Sequence, residues 1–97
     1  MQFEGNPEKL RDEIRIERRW NVKCLAILTY HTLKCATKKN KRNYKWRVED
    51  TATDLELSIG FISESIKLAK AMATDGSIKF MTRDEALKRL RNGNDHT

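Results

Sequence analysis

Apolar residues in the first part of the chain recur at helical spacing and predict a first helix. Leu10 and Ile14 stand four positions apart among charged residues, which indicates a narrow buried stripe on a helix from Pro7 to about Arg19. Asn6 suits the N-cap of this helix, because its side chain accepts from backbone N–H groups of the first turn, and proline is favoured at the position that follows. We therefore expect a helix that covers the core with one face only.

The segment from Val22 to about Thr37 is apolar on nearly all sides, which predicts a buried central helix. Two neighbouring stripes recur along it at spacings of three and four residues: Val22, Leu25, Thr29, Leu33 and Ala36 in one, Cys24, Leu28, His31 and Cys35 in the other. The shorter stretch Leu25–Tyr30 is also compatible with a β-strand, and periodicity alone leaves that alternative open.

Two helices joined by a short turn are predicted in the second half of the chain. Val48, Ala52 and Leu55 stand at positions i, i+4 and i+7 and indicate a short helix. A second helix is expected from Ser58, a favourable N-cap, to about Met72. Its predicted buried stripe consists of Ile59, Ile62, Ile66 and Ala69.

A last helix is predicted near the C-terminus. Asp75-Gly76 ends the preceding helix, and Thr82-Arg83-Asp84-Glu85 has the spacing of a capping box, with the carboxylate three residues after the cap. Gly93 is expected to end this helix. The whole pattern predicts an all-α fold of about five short helices around one core, in a single domain: an N-terminal helical pair (1–37), a basic arm (38–47), a helix-turn-helix (48–72) and a C-terminal helix (82–92).

The turn of about three residues between Val48–Leu55 and Ser58–Met72 is the spacing of a helix-turn-helix, whose second helix presents its N-terminal half to base edges. Ser63 offers a hydroxyl to several bases, Glu64 accepts from cytosine N4, and Gly60 allows close backbone approach to phosphates. The predicted base-reading residues are Ser58, Gly60, Phe61, Ser63, Glu64 and Lys67.

The composition of these positions predicts modest sequence specificity. No Arg, Asn or Gln stands among them, so the most informative contacts to guanine and adenine are missing. Phe61 suits contact with a thymine methyl group, and it equally suits packing on a neighbouring helix.

Positive charge is concentrated in the first half of the chain. The net charge is +6, with +8 on residues 1–47 and −2 on residues 48–97. Six basic residues lie within ten positions that show no helical stripe, and we predict that this arm holds DNA phosphates. The predicted phosphate-binding residues are Lys38, Lys39, Lys41, Arg42, Lys45 and Arg47. Trp46, within this arm, is expected to pack into the core. Four carboxylates oppose DNA binding, because they would flank the DNA backbone: Glu49, Asp50, Asp54 and Glu56.

The run Val48-Glu-Asp-Thr-Ala-Thr-Asp-Leu-Glu-Leu-Ser-Ile-Gly-Phe-Ile-Ser-Glu-Ser-Ile-Lys-Leu-Ala-Lys-Ala71 resembles the helix-turn-helix of ParB/KorB-type partition proteins and of small phage or plasmid regulators. The resemblance implies that the helix Ser58–Met72 enters the major groove of double-stranded DNA and that a further helical segment follows. One departure is Glu56, which stands where the turn usually has glycine. It must accept a left-handed backbone, at a cost of about 1 kcal/mol, or form a different turn. The chain shows no counterpart of the nucleotide-binding part of partition proteins, so we do not expect their clamp activity.

Other site chemistries find little support in the sequence. Cys24, His31 and Cys35 share one predicted helical face, but a structural zinc site takes four ligands. Eleven residues of helix would separate the two cysteines by about 16 Å, too far for a disulfide. A Gly-flanked nucleophilic serine and a Gly-rich phosphate loop are both missing. We therefore expect no metal, no cofactor and no enzymatic activity.

We predict a DNA-binding regulator or accessory factor of phage, plasmid or mobile-element type, for which a homodimer on a two-fold operator is one suitable assembly. A cytoplasmic location is expected, because Met1–Gly5 lacks signal-peptide features and no run approaches the roughly 20 apolar residues that span a bilayer. Two alternatives stay open: a structural or assembly protein, such as a phage packaging subunit or an adaptor, and RNA binding through the arm.

Overall fold

The protein folds into an all-α bundle, as predicted. The computed structural model describes residues 6–38 and 45–94, and over these ranges it contains helices and no strand. The α-helices are α1 (Pro7–Ile16), α2 (Trp20–Lys38), α3 (Val48–Leu55), α4 (Ile59–Thr74) and α5 (Arg83–Asn94), with a 3₁₀ segment at Gly76–Phe80.

The boundary between α1 and α2 lies earlier than the prediction. The Asn6 side chain caps α1 by accepting from two backbone N–H groups, but the helix ends at Ile16 and not at Arg19. The reason is local: Glu17 adopts an extended backbone, and its carboxylate accepts from the backbone N–H of Arg19 at 3.1 Å. The second helix then begins at Trp20.

The central helix is continuous, so the β-strand alternative at Leu25–Tyr30 is wrong. The two predicted stripes also describe its buried face poorly, because Leu25 is 40% exposed and Ala36 is exposed. This helix packs against α1, α3 and α4, and its buried arc follows these neighbours. The buried residues of α2 are Cys24, Ala26, Ile27 and Tyr30.

The two helices α3 and α4 follow the boundaries predicted for the helix-turn-helix closely. Glu56 has φ 58° and ψ 40°. Of the two possibilities given for this non-glycine residue, it therefore adopts the left-handed conformation. The Ser58 hydroxyl caps α4 by accepting from the Phe61 N–H at 3.1 Å. The predicted burial of Ile59 is wrong. Its side chain is 55% exposed, because it lies in the first turn of α4, which the neighbouring helices do not cover.

The C-terminal part also contains the predicted signals. Asp75 ends α4, and its carboxylate accepts from the Ser77 N–H. Thr82 and Glu85 form the predicted capping box, since the Glu85 N–H donates to the Thr82 hydroxyl at 3.2 Å and the Thr82 N–H donates to the Glu85 carboxylate at 3.3 Å. The last helix runs through Gly93 to Asn94, so the prediction that Gly93 ends it is wrong.

Two adjoining apolar clusters form the core, and Leu28 of α2 packs against both. The larger one unites α1, α2, α3 and the first half of α4, with these buried residues: Leu10, Ile14, Ala26, Ile27, Tyr30, Ala52, Leu55, Ile62 and Ile66. The smaller one joins α2 and α4 to the C-terminal part through Cys24, Leu68, Ala69, Ile78 and Ala86. Among the described helices, none is both long and apolar enough to cross a membrane.

Candidate nucleic-acid interface

The α4 helix, which follows the turn at Glu56, presents one long face to solvent. Its buried residues include Ile62, Ile66 and Ala69. Polar or small residues recur on the other side at helical spacing, and all are exposed except Ser63, which is half-buried: Gly60, Ser63, Lys67, Lys70 and Thr74. This solvent-facing set, called the α4 outer face below, begins one turn after Glu56.

Three of the predicted reading residues lie on the α4 outer face, namely Gly60, Ser63 and Lys67. A Cβ atom built on Gly60 would meet nothing within 4 Å, so a ligand can approach its backbone closely. Ser58 is exposed at the start of the helix, where its hydroxyl is engaged as the N-cap. Lys70 was missing from the predicted set, although its spacing of three residues from Lys67 was a usable signal.

Phe61 and Glu64 lie beside the outer face and not on it. Phe61 is half-buried against the larger core cluster, and the Arg83 guanidinium lies 4.3 Å from the centre of its ring. The Glu64 carboxylate lies 3.7 Å from the same guanidinium. Both side chains therefore turn towards α5, where they help to position Arg83.

A groove opens beside Phe61, near the start of α4. It has a volume of about 640 Å³ and lies between the α1–α2 junction and the starts of α4 and α5. Its lining combines four cations, one carboxylate and three apolar side chains: Arg15, Ile16, Glu17, Arg18, Trp20, Lys23, Phe61 and Arg83. We call it the junction groove. Sequence reasoning missed it, because its residues come from three separate stretches of the chain, residues 15–23, Phe61 and Arg83.

Several charges of the junction groove are already neutralised. The guanidinium of Arg19 binds the Glu17 carboxylate at 2.8 and 3.1 Å, and this hydrogen bonding lowers the pKa of Glu17 to about 2. The Arg15 guanidinium lies 2.8 Å from the Glu56 carboxylate. Arg83 faces Glu64 as described above. These three carboxylates, Glu17, Glu56 and Glu64, are therefore paired with cations.

Arg18 and Lys23 differ from the other cations of the groove. Arg18 is exposed and Lys23 is half-exposed, and neither forms an ion pair with any residue in ranges 6–38 and 45–94. The Lys23 ammonium lies 5.9 Å from the centre of the Phe61 ring. These two cations leave the junction groove with uncompensated positive charge.

The basic arm begins at the other end of α2. Lys45 and Arg47 are described and exposed, whereas Lys39, Lys41 and Arg42 lie outside the described residues. Lys38 is the last residue of α2, and its side chain is likewise outside the description.

Trp46 fixes the position of the described end of the arm. Its indole N–H donates to the Thr51 hydroxyl at 2.7 Å, and the Cys35 thiol faces its carbonyl oxygen at 4.0 Å. Trp46 is half-buried, so it packs against the bundle only in part. Cys35 marks the end of α2 that contacts the arm, and Lys23 marks the end that lines the junction groove. These residues are twelve positions apart in the helix, so the arm begins about 18 Å along α2 from the groove.

The three residues predicted to share one helical face, Cys24, His31 and Cys35, lie in two different environments. Cys24 is buried, and the Arg83 guanidinium donates to its sulfur at 3.4 Å. The two ring nitrogens of His31 lie 3.6 Å from the Cys35 sulfur and 2.7 Å from the Thr51 hydroxyl oxygen. Both cysteines are free thiols, and the described part of the chain contains no group of three or more metal-ligating side chains.

Comparison of the chain with protein-family models, curated proteins and solved structures finds no match. The resemblance to the helix-turn-helix of partition proteins and phage or plasmid regulators therefore stays a prediction.

Proposed function

We propose that the protein binds double-stranded DNA by placing α4 in the major groove, as a regulator or accessory factor of phage, plasmid or mobile-element type. The observation that carries this proposal is the α4 outer face, which is solvent-exposed and follows directly on the helix-turn-helix turn. A helix with its side chains is about 10–12 Å across and fits a major groove about 12 Å wide.

The side chains of the outer face suit contact with DNA. Lys67 and Lys70 donate hydrogen bonds to guanine acceptors or phosphates, and Ser63 donates or accepts. The bare backbone at Gly60 permits close approach to a phosphate. With Glu64 held beside Arg83, base reading falls mainly to Ser63 and Lys67, which supports modest specificity.

The acidic residues of α3 and of the turn that follows it oppose this function less than the sequence suggests. The Asp50 carboxylate accepts from the Arg47 N–H at 2.8 Å. The Tyr30 hydroxyl donates to the Asp54 carboxylate at 2.9 Å, and Lys34 lies 3.7 Å from the same group. Glu56 is paired with Arg15. These three carboxylates are thus engaged within the protein, and Glu49 is exposed.

A selection experiment tests the proposal. The protein is incubated with a random-sequence duplex pool at low and moderate salt, and the bound DNA is sequenced. We expect binding that weakens with salt and a modest sequence preference. The double variant Ser63→Ala/Lys67→Ala should change that preference, whereas Lys88→Ala, on the exposed surface of α5, should not. Failure to bind duplex DNA at either salt concentration contradicts the proposal.

The arm has a separate expected effect. Replacing Lys45 and Arg47 with glutamine should weaken binding to all sequences and reduce the salt dependence, because phosphate contacts carry no sequence information. Single-stranded RNA that competes better than duplex DNA would instead favour RNA as the ligand.

A role in assembly is a second candidate, favoured by large apolar side chains at the surface. Ile16 is 78% exposed and Phe80 is 83% exposed. Aromatic side chains such as Phe80 are enriched in protein interfaces. Mass measurement in solution separates the two functions, since a ring or higher oligomer supports assembly and a dimer on a two-fold site supports regulation.

A further inference from the structure

We propose that a groove between α4 and α5 binds an acidic amphipathic helix of a partner protein, and that this helix excludes DNA from α4. The groove, called the α4–α5 groove below, consists of two adjoining hollows of about 430 and 120 Å³ that share Lys67 and Leu90. Docking of the helix goes beyond the proposed function, whereas its competition with DNA rests on that function.

The floor of the groove is apolar, because the two helices have apolar residues where they pack together. Leu87 and Leu90 of α5 pack against the smaller core cluster, as does Ala71 of α4. All three are half-buried, so part of each side chain still faces solvent. Since Ala71 contributes only a methyl group, the space between α4 and Leu90 stays open.

The rim of the groove is positively charged. Lys67 and Lys70 of α4 and Arg91 of α5 line it and are exposed. None of these three forms an ion pair within the part of the chain that the structure describes. The lining also contains a carboxylate, Glu64, which lies 3.7 Å from the Arg83 guanidinium. The groove therefore combines an apolar floor with three cations whose charge no salt bridge offsets.

The dimensions of the groove suit a helix. From Glu64 to Ala71 its α4 wall extends over seven residues, or about 10 Å. Two turns of a docked helix have nearly this length, and its residues at positions i, i+4 and i+7 share one face. Helices bound in this way place their apolar face in the groove. The leucine floor receives that face, and Asp or Glu at the flanking positions pair with the three cations.

The same combination disfavours two other occupants of the groove. A DNA backbone would contact the cations but leave the leucines uncovered. A second copy related by a two-fold axis would place the same patch against itself, so that the cations of the two copies would repel each other. A partner with carboxylates and apolar side chains on one face satisfies both parts of the groove.

An occupied groove would block DNA binding by α4. Lys67 and Lys70 line the groove and also belong to the α4 outer face. Packed helices have axes 8–10 Å apart, so α4 with a second helix beside it is about 20 Å across. The major groove is about 12 Å wide and accepts one helix. The docked partner therefore acts as an antagonist of DNA binding.

A displayed library of random helical peptides, each of about 16 residues so that the helix can form, tests the docking. It is selected in parallel on the wild type, on the test variant Lys67→Glu/Arg91→Glu and on the matched control Lys45→Glu/Lys79→Glu. The control makes the same charge change at two exposed lysines outside the groove. We expect acidic peptides with apolar residues at i, i+4 and i+7 to be enriched on the wild type and the control only. Any other pattern of enrichment overturns the inference.

One enriched peptide is then labelled, and its affinity is measured by fluorescence anisotropy, with thermal unfolding to establish that both variants are folded. The test variant should bind it about tenfold more weakly at 0.1 M salt, because two exposed ion pairs are lost and two like-charge contacts replace them. A second peptide keeps the carboxylates and has serine at the apolar positions, and it should also bind about tenfold more weakly. Equal affinity of the two peptides, or an equal loss in both variants, overturns the inference.

Competition with a labelled duplex separates this inference from the proposed function. The unlabelled peptide should displace the duplex from the wild-type protein, and simultaneous binding of both overturns the exclusion of DNA. A protein that binds the peptide but no duplex contradicts the proposed function and leaves the docking site standing. Sedimentation tests the remaining occupant: a wild-type oligomer that is lost in Lys67→Glu/Arg91→Glu would identify a second copy and overturn the inference.

Discussion

The guanidinium of Arg15, in the last turn of α1, lies 2.8 Å from the carboxylate of Glu56. The left-handed backbone of Glu56 ends α3 and begins the turn that leads to α4. This ion pair connects the N-terminal helix to the turn between α3 and α4. It also places an arginine of the junction groove beside the start of the proposed reading helix. Both partners are substantially exposed, so the pair contributes little to stability and mainly sets the local charge.

Replacing Glu56 with glycine should stabilise the protein and strengthen DNA binding. Relief of the left-handed backbone is worth about 1 kcal/mol, and loss of the exposed ion pair costs about 0.5 kcal/mol, so the free energy of unfolding should rise by about 0.5 kcal/mol. Removing an anion and releasing Arg15 for one phosphate contact should raise duplex affinity by up to about eightfold at 0.1 M salt.

Glu56→Gln is the matched control for this substitution. It removes the same charge and keeps a side chain at the left-handed position, so affinity for duplex should rise without a gain in stability. Urea unfolding and anisotropy titration give the two readouts. Weaker duplex binding by both variants would show that the carboxylate has a role other than repulsion.

Gly60→Ala should separate folding from function. The new methyl group would enter open space, and alanine favours the helix over glycine, so the free energy of unfolding should rise by about 0.5 kcal/mol. The same methyl group would stand between the α4 backbone and DNA, so affinity should fall. Gly76→Ala, in the exposed 3₁₀ segment, also enters open space and should leave DNA affinity unchanged. If both variants bind duplex like the wild type, Gly60 does not lie at the interface.

Thr51→Val should destabilise the junction between α2 and α3. Thr51 is fully buried, and its hydroxyl oxygen lies 2.7 Å from both the Trp46 indole nitrogen and the His31 Nδ1 atom. Valine keeps the shape but removes the hydroxyl that these two groups contact, at a cost of about 1–3 kcal/mol. Thr53→Val is the control, because Thr53 is exposed and its hydroxyl donates only within α3. Guanidinium unfolding should show a loss several times larger for Thr51→Val.

His31 should make stability depend on pH. Burial, with a smaller contribution from the positive charge of Lys70, lowers the pKa of His31 below its usual 6.5. Between the two pKa values the unfolded chain binds more protons than the folded protein, so the stability is complete above pH 6.5 and falls as the pH drops towards the folded pKa. Urea midpoints should therefore decrease from pH 7.5 to pH 5.5, and His31→Gln should flatten this decrease. An unchanged slope in that variant would assign the pH dependence to other groups.

Much of the fold follows from short-range signals. The predicted caps are present at Asn6, at Ser58 and at the Thr82–Glu85 box. They could be predicted because a capping side chain bonds backbone groups within three residues of itself. The end of α1 was misplaced because nothing in the apolar spacing reveals that Glu17 binds the backbone of Arg19. Ile59 and Leu25 were expected to be buried, since spacing identifies a face and not how far the neighbouring helices cover it.

An all-α chain, two helices joined by a short turn in the second half and an excess of positive charge in the first half all follow from the sequence alone, because capping, periodicity and charge are properties of neighbouring residues. Only the tertiary structure decided which cations lie beside α4. Arg18, Lys23, Phe61 and Arg83 form one groove because α1, α2, α4 and α5 pack together there. Contacts between residues distant in the chain depend on how the helices pack, and a local pattern contains no information about that packing.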